Sequence, residues 1–179
     1  MELQPLPAEE DAVRRYVEEL WLPYHRDLEA TVSTHALDDD ADLVDAELAF
    51  RLDRLERECD HTWIAADAGE NERSDLTLAD DGVDLCGFIT TQVDEPPPVF
   101  DSPTRLIVGD IYVRRSHRGT GLARDLIDRA VEQAREVGCT ELALDVDVDN
   151  EQAIAFYEKL GFEPCRHRMT VPTETVRRE

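Results

Sequence analysis

Between an apolar stretch ending at Val113 and an amphipathic one opening near Gly121, the chain reads Arg114-Arg115-Ser116-His117-Arg118-Gly119-Thr120-Gly121-Leu122-Ala123-Arg124. Gly119 and Gly121 carry no Cβ, so the backbone can turn tightly and approach a ligand. A helix opening here presents unpaired N–H groups and the positive end of its dipole. Together these make an anion site suited to phosphate or pyrophosphate. Arg114, Arg115, Arg118 and Arg124 put local positive charge into an acidic chain. The plainer alternative is a glycine-bearing loop with solvated arginines. The GxxxxGK pattern of P-loops is absent, and Arg124 stands where a dinucleotide fingerprint needs its last Gly or Ala.

Other reactive side chains are less organised. Cys59, Cys86, Cys139 and Cys165 form no CxxC pair and read as small buried apolar residues. The histidines at 25, 35, 61, 117 and 167 are scattered, so no metal is expected.

The elements that must hold the loop follow from periodicity. Helical spacing is evident over residues 11–28, where Pro23 bends or splits the segment, and over 42–58. The acidic run at 38–40 supplies negative charge to the start of that second helix. Residues 62–66, 84–93 and 106–113 read as strands. An acidic loop at 67–82 and a proline-rich loop at 94–104 lie between them. A helix over about 121–137 stops at Gly138. A strand at 141–148, a helix to Leu160 capped by Asp149 or Asn150 with Gln152 placed for a capping box, and a closing strand at 166–171 complete the order. A strand–helix–strand crossover makes 106–113 and 141–148 parallel. The expected fold class is α/β: a single mixed sheet whose parallel pair is joined by a helix, flanked by helices on both faces. One domain is expected over 1–179, with a helical acceptor-side region at 1–60 and a sheet core at 61–179.

The segment Arg118-x-x-Gly121-x-Ala123 resembles the Arg/Gln-x-x-Gly-x-Gly/Ala signature of the GCN5-related N-acetyltransferase (GNAT) family, which cradles the pyrophosphate of acetyl-CoA. A second block, Leu144-Asp145-Val146-Asp147-Val148-Asp149-Asn150-Glu151-Gln152-Ala153-Ile154-Ala155-Phe156-Tyr157-Glu158-Lys159-Leu160-Gly161-Phe162, resembles the family's second conserved region throughout, at the family's spacing. The resemblance implies a splayed parallel strand pair and an acyl-CoA-dependent N-acetyltransferase working through a direct ternary complex. Its alternative is a non-catalytic coenzyme-A-binding sensor or partner subunit. The resemblance assigns Arg118, Gly119, Thr120, Gly121, Leu122 and Ala123 to the diphosphate and Ile111, Tyr112 and Val113 to the pantetheine arm. Asn150 would contact the coenzyme as well as cap a helix, and Tyr157 would protonate the leaving thiolate. The amine also needs a base. Asp145, five residues before Asn150, is the first candidate and Asp110 the second. Strand alternation puts Asp145 and Asp147 on one face, and burial or a like-charged neighbour would have to raise a carboxylate into the working range.

There are 42 acidic residues against 19 basic, for a net charge of −23, and 18 of the 19 basic residues are arginine. Such a surface stays solvated in high salt, which suggests a halophilic, archaeal source, and its field disfavours nucleic acid. The start of the chain lacks a signal peptide's basic and apolar regions, and no apolar run is long enough to span a membrane. A cytoplasmic location follows as an expectation. The resemblance adds a homodimer and leaves the acceptor open between protein N-termini and small amines.

Overall fold

A computed structural model of the chain describes residues 1–32, 35–38, 40–69 and 77–176. Its contacts divide the chain into two compact units, Met1–Asp145 and Val146–Glu179. Much of the expected acidic loop and one residue of the 38–40 run lie outside the described residues.

The first unit is built on one mixed sheet in the order β1-β2-β3-β4-β5. The strands are β1 (Glu2–Pro5), β2 (Asp60–Asp67), β3 (Asp84–Asp94), β4 (Arg105–Val113) and β5 (Glu141–Leu144). All neighbours are antiparallel except β4 and β5, which are parallel as the crossover requires. The opening strand β1 was not expected, so the first 60 residues are not purely helical. Its four residues are too few for a periodic signal, and it forms by adding to the free edge of β2.

Helices cover both faces. On one lie α1 (Glu10–Tyr16), a π-helical segment (Val17–Trp21), α2 (Leu22–Glu29) and α3 (Leu43–Leu55). Pro23 has no N–H to give, and the chain accommodates it in the first turn of α2, just after the widened π turns. Asp42 caps α3 through the Asp45 N–H at 3.1 Å. Tyr16, Val17 and Leu20 pack with Ile64, Leu85 and Phe88 in the core. The opposite face carries α4 (Leu122–Glu136). There the Gln133 Oε1 accepts from Trp63 Nε1 and Thr91 Oγ1, each at 2.8 Å. Trp63 and Thr91 point to α4 while their neighbours Ile64 and Thr90 point the other way, as strand alternation demands.

In the second unit α5 (Glu151–Lys159) is capped by Asn150, whose Oδ1 accepts from the Ala153 N–H at 3.2 Å. That register puts Gln152 one place too early for a capping box. Two expectations fail here. β5 stops at Leu144, so Asp145 and Asp147 share no strand face, and no strand occurs at 166–171. Among the described residues neither segment enters a ladder, and apolar alternation without one does not make a strand. Two cysteines depart from expectation as well: Cys86 and Cys139 are buried, but Cys165 is exposed and Cys59 only half-buried.

Candidate active site

β4 delivers the chain into the glycine loop. Parallel pairing with β5 runs only from Arg105↔Glu141 to Val108↔Leu144. Among the described residues, Ile111–Val113 therefore have no strand on that side, although β3 pairs with them on the other. A strand edge without a ladder partner carries main-chain groups of the kind an extended ligand pairs with, although the Val113 carbonyl already accepts from Arg118.

After β4, a short 3-10 turn over Arg115–His117 leads to Gly119 at φ 80 and Gly121 at φ 99. Both lie in the left-handed region that favours glycine, and a Cβ at either would meet nothing within 4 Å, so the loop borders open space. The Thr120 hydroxyl donates to the His117 carbonyl at 2.7 Å and ties the turn together. Gly121 is the N-cap of α4 and no side chain caps it, so the first amides of a 15-residue helix face outward. These features fit a diphosphate.

The arginines are not free positive charges. Arg118 donates to the Val113 carbonyl at 3.0 Å and to Asp27 at 2.8 Å, and its guanidinium lies 5.6 Å from the Tyr112 ring centroid. Arg115 also holds Asp27. Hydrogen bonding from Arg115, with burial opposing and Arg118 adding, keeps the Asp27 carboxyl below its ordinary value. Arg114 is engaged by Asp84 and Arg124 by Asp128. Sequence reasoning missed Asp27 because a carboxylate on α2 carries no local signal of a partner 91 positions away.

Asp110 sits at a bulge in β4. Ile89 pairs with Ile111 and Thr91 with Val108, so Thr90 faces both Gly109 and Asp110. The Asp110 N–H donates to the Thr90 hydroxyl at 2.7 Å, and a Cβ on Gly109 would come within 2.6 Å of the same oxygen. The Asp110 carboxylate accepts from Tyr24 at 3.2 Å. Three residues along α2, Asp27 holds the loop arginines, so one face of α2 touches both features. Gly109 and Asp110 line a cavity of about 250 Å³ between α3 and the sheet. Asp145 is exposed, one residue past β5. In the second unit, Tyr157 is flanked by Phe156 at 5.3 Å and Phe162 at 5.5 Å.

One grouping was not legible in sequence. Asp84, Cys86 and His117 bring potential ligand atoms within 4.8 Å of one another. Burial first, then Asp84, pushes the Cys86 thiol up to about 11, and Arg114 already binds Asp84 at 2.8 Å. A protonated thiol and a guanidinium on the carboxylate make this a poor cation site.

The described residues include no helix long and apolar enough to cross a membrane. The N-alpha-acetyltransferase MAK3 of Arabidopsis thaliana is 40% identical over 52 residues, which is 29% of this chain and 27% of that protein. The chain thus spans about a quarter of that relative's length. Among solved structures, the tetramutant of the BH1408 protein from Bacillus halodurans matches with a TM-score of 0.73 at 16% identity, over 96% of this chain and 99% of that one. The aminoglycoside 6'-N-acetyltransferase AAC(6')-IG from Acinetobacter haemolyticus matches with a TM-score of 0.65 at 20% identity, over 97% and 98%. At these identities the two structures speak to the fold alone. The model of the acetyltransferase (GNAT) family matches residues 15–162, a stretch that runs from α1 through the glycine loop to the end of α5. The chain belongs to that family.

Proposed function

We propose that this protein transfers an acetyl group from acetyl-CoA to an amine in a direct ternary complex. One observation carries the reading: β4 loses its parallel neighbour after Val108 and runs into a glycine loop at the uncapped start of α4. The unpaired edge at Ile111, Tyr112 and Val113 suits the amides of a pantetheine arm. Arg118, Gly119, Thr120, Gly121, Leu122 and Ala123 suit the diphosphate, with Arg118 exchanging Asp27 for phosphate oxygens.

Acetyl-CoA as substrate supplies a thioester. The neutral amine adds to its carbonyl carbon, the C–S bond breaks as the amide forms, and the amine's proton must leave. Asp110 is our preferred acceptor of that proton, directly or through water, because it lines the cavity beside the bulge. Asp145, exposed beyond β5, is the alternative. Tyr157 protonates the departing thiolate, and Asn150 adds a coenzyme contact to its capping role. The acceptor is a protein N-terminus or a small amine. The exposed carboxylates of α4, among them Asp125, Asp128 and Glu132, support a surface adapted to high salt in a halophilic cytoplasm.

Release of free thiol from acetyl-CoA with a panel of amines, in high salt, tests the reading. Thiol release that depends on an amine supports it. Coenzyme A binding without turnover on any amine favours a coenzyme-binding sensor instead.

A further inference from the structure

Tyr24 turns from α2 toward the sheet, and its hydroxyl donates to Asp110 Oδ1 at 3.2 Å. Among the described residues no other side chain donates to that carboxylate. Arg51 and Arg54 line the same cavity as Asp110, but Arg51 holds Glu47 at 2.6 Å and Arg54 holds Asp60. Asp110 is thus oriented by a neutral donor and not closed by a guanidinium fork. It is only partly buried, and its Oδ2 is not sealed from solvent. The hydroxyl is itself held in place. The Tyr24 ring meets those of Phe88 and Tyr112, each at 5.8 Å between centroids, and that of His25 at 4.7 Å. One turn further along α2, Asp27 ties the helix to Arg115 and Arg118. The Asp110 main chain is fixed separately, by Thr90. Tyr112 follows Asp110 by two residues, on the same strand face. Tyr24 therefore rests at once on the carboxylate and on the strand proposed to carry the pantetheine arm.

We propose that Tyr24 is a positioning residue for amine deprotonation, fixing the Asp110 carboxylate so that Oδ2 meets the reacting nitrogen. The inference rests on the acetyltransferase reading above, with Asp110 as the base. As the nitrogen bonds to the thioester carbon it sheds a proton, which passes to Oδ2 directly or through water. The N–H electron pair stays on nitrogen, and the pair of the breaking C–S bond leaves with sulfur. Tyr24 neither gains nor loses a proton in this step. It acts through orientation: a carboxylate free to rotate offers the right oxygen only part of the time, whereas one held by a packed hydroxyl offers it throughout. A phenylalanine at this position keeps the ring contacts, so one substitution separates the hydroxyl from the packing.

Steady-state kinetics of Tyr24→Phe, Asp110→Asn and the double variant, with the best amine of the panel, test this. Tyr24→Phe should lower kcat about tenfold, the effect of one hydrogen bond to a charged group, with KM for acetyl-CoA unchanged. Asp110→Asn should lower kcat about 100-fold or more. Adding Tyr24→Phe to it should remove nothing further, because residues that act as a unit are not additive. An unchanged kcat in Tyr24→Phe, or a loss by the same factor in both backgrounds, overturns the positioning role and leaves acetyl transfer standing. A Tyr24 that only supports the fold would raise KM for acetyl-CoA or lower the urea midpoint, whether or not Asp110 is present, and that result overturns the proposal too. If Asp110→Asn leaves kcat intact, Asp110 is not the base and the proposal falls with that assignment. Should Asp110→Asn fail to fold, the kcat-against-KM split of Tyr24→Phe decides by itself. Absence of turnover on every amine removes the acetyltransferase reading, and the proposal with it.

Discussion

Asp27 holds Arg118 at 2.8 Å, placing a carboxylate on α2 against the one arginine that lies within the coenzyme signature. On the proposed reading Asp27 occupies the place of the diphosphate, and the ligand would have to displace it. Asp27→Asn should therefore tighten coenzyme A binding about twofold to fivefold, the range of a partly exposed ion pair. Calorimetric titration reads this, and weaker binding would mean that Asp27 anchors the loop instead.

Removing the other partner has the opposite sign. Arg118→Ala should weaken coenzyme A binding about tenfold or more, since a charge-assisted contact is lost. Pantetheine lacks the diphosphate, so its affinity should barely change. A similar loss for both ligands would indicate a collapsed loop.

The β4 bulge depends on one hydroxyl. Thr90→Val leaves the Asp110 N–H without its acceptor and should cost about 1–3 kcal/mol of stability. Thr90→Ser should retain most of it. Gly109→Ala should also destabilise, because its Cβ would meet Thr90 Oγ1 at 2.6 Å. Urea denaturation midpoints of the three variants check the order.

If Tyr157 is the acid, Tyr157→Phe should lower kcat about 100-fold or more while KM for acetyl-CoA changes little. The conservative replacement keeps the ring contacts with Phe156 and Phe162. A parallel rise in KM with unchanged kcat would place Tyr157 in binding alone.

Stability should fall on mild acidification. Burial, reinforced by His35 and Arg51 and opposed by Asp110 and Glu29, pushes His25 below its ordinary 6.5. The unfolded chain then binds its proton first, so stability is intact above about pH 6.5 and declines as pH falls toward the folded value. Asp27 and Glu29, held below 3.8 and 4.5, add losses only in stronger acid. Urea midpoints from about pH 7 to about pH 5 should drop, and His25→Gln should flatten the slope.

The sequence by itself determined the family, the parallel strand pair and the glycine loop, because each rests on local chemistry. Gly119 and Gly121 take a conformation that disfavours other residues, Asn150 caps its own helix, and the spacing of Leu122, Leu126 and Ala130 selects one buried face of α4. The strand ends were less legible: the apolar alternation past Leu144 and over 166–171 forms no ladder, because pairing depends on a neighbour that periodicity does not name. Only the tertiary structure decided that Asp27 meets Arg118, that Thr90 pins Asp110, and that Arg54 meets the buried Asp60. Those contacts join residues far apart in the chain, and their free energy arises only when folding brings the elements together.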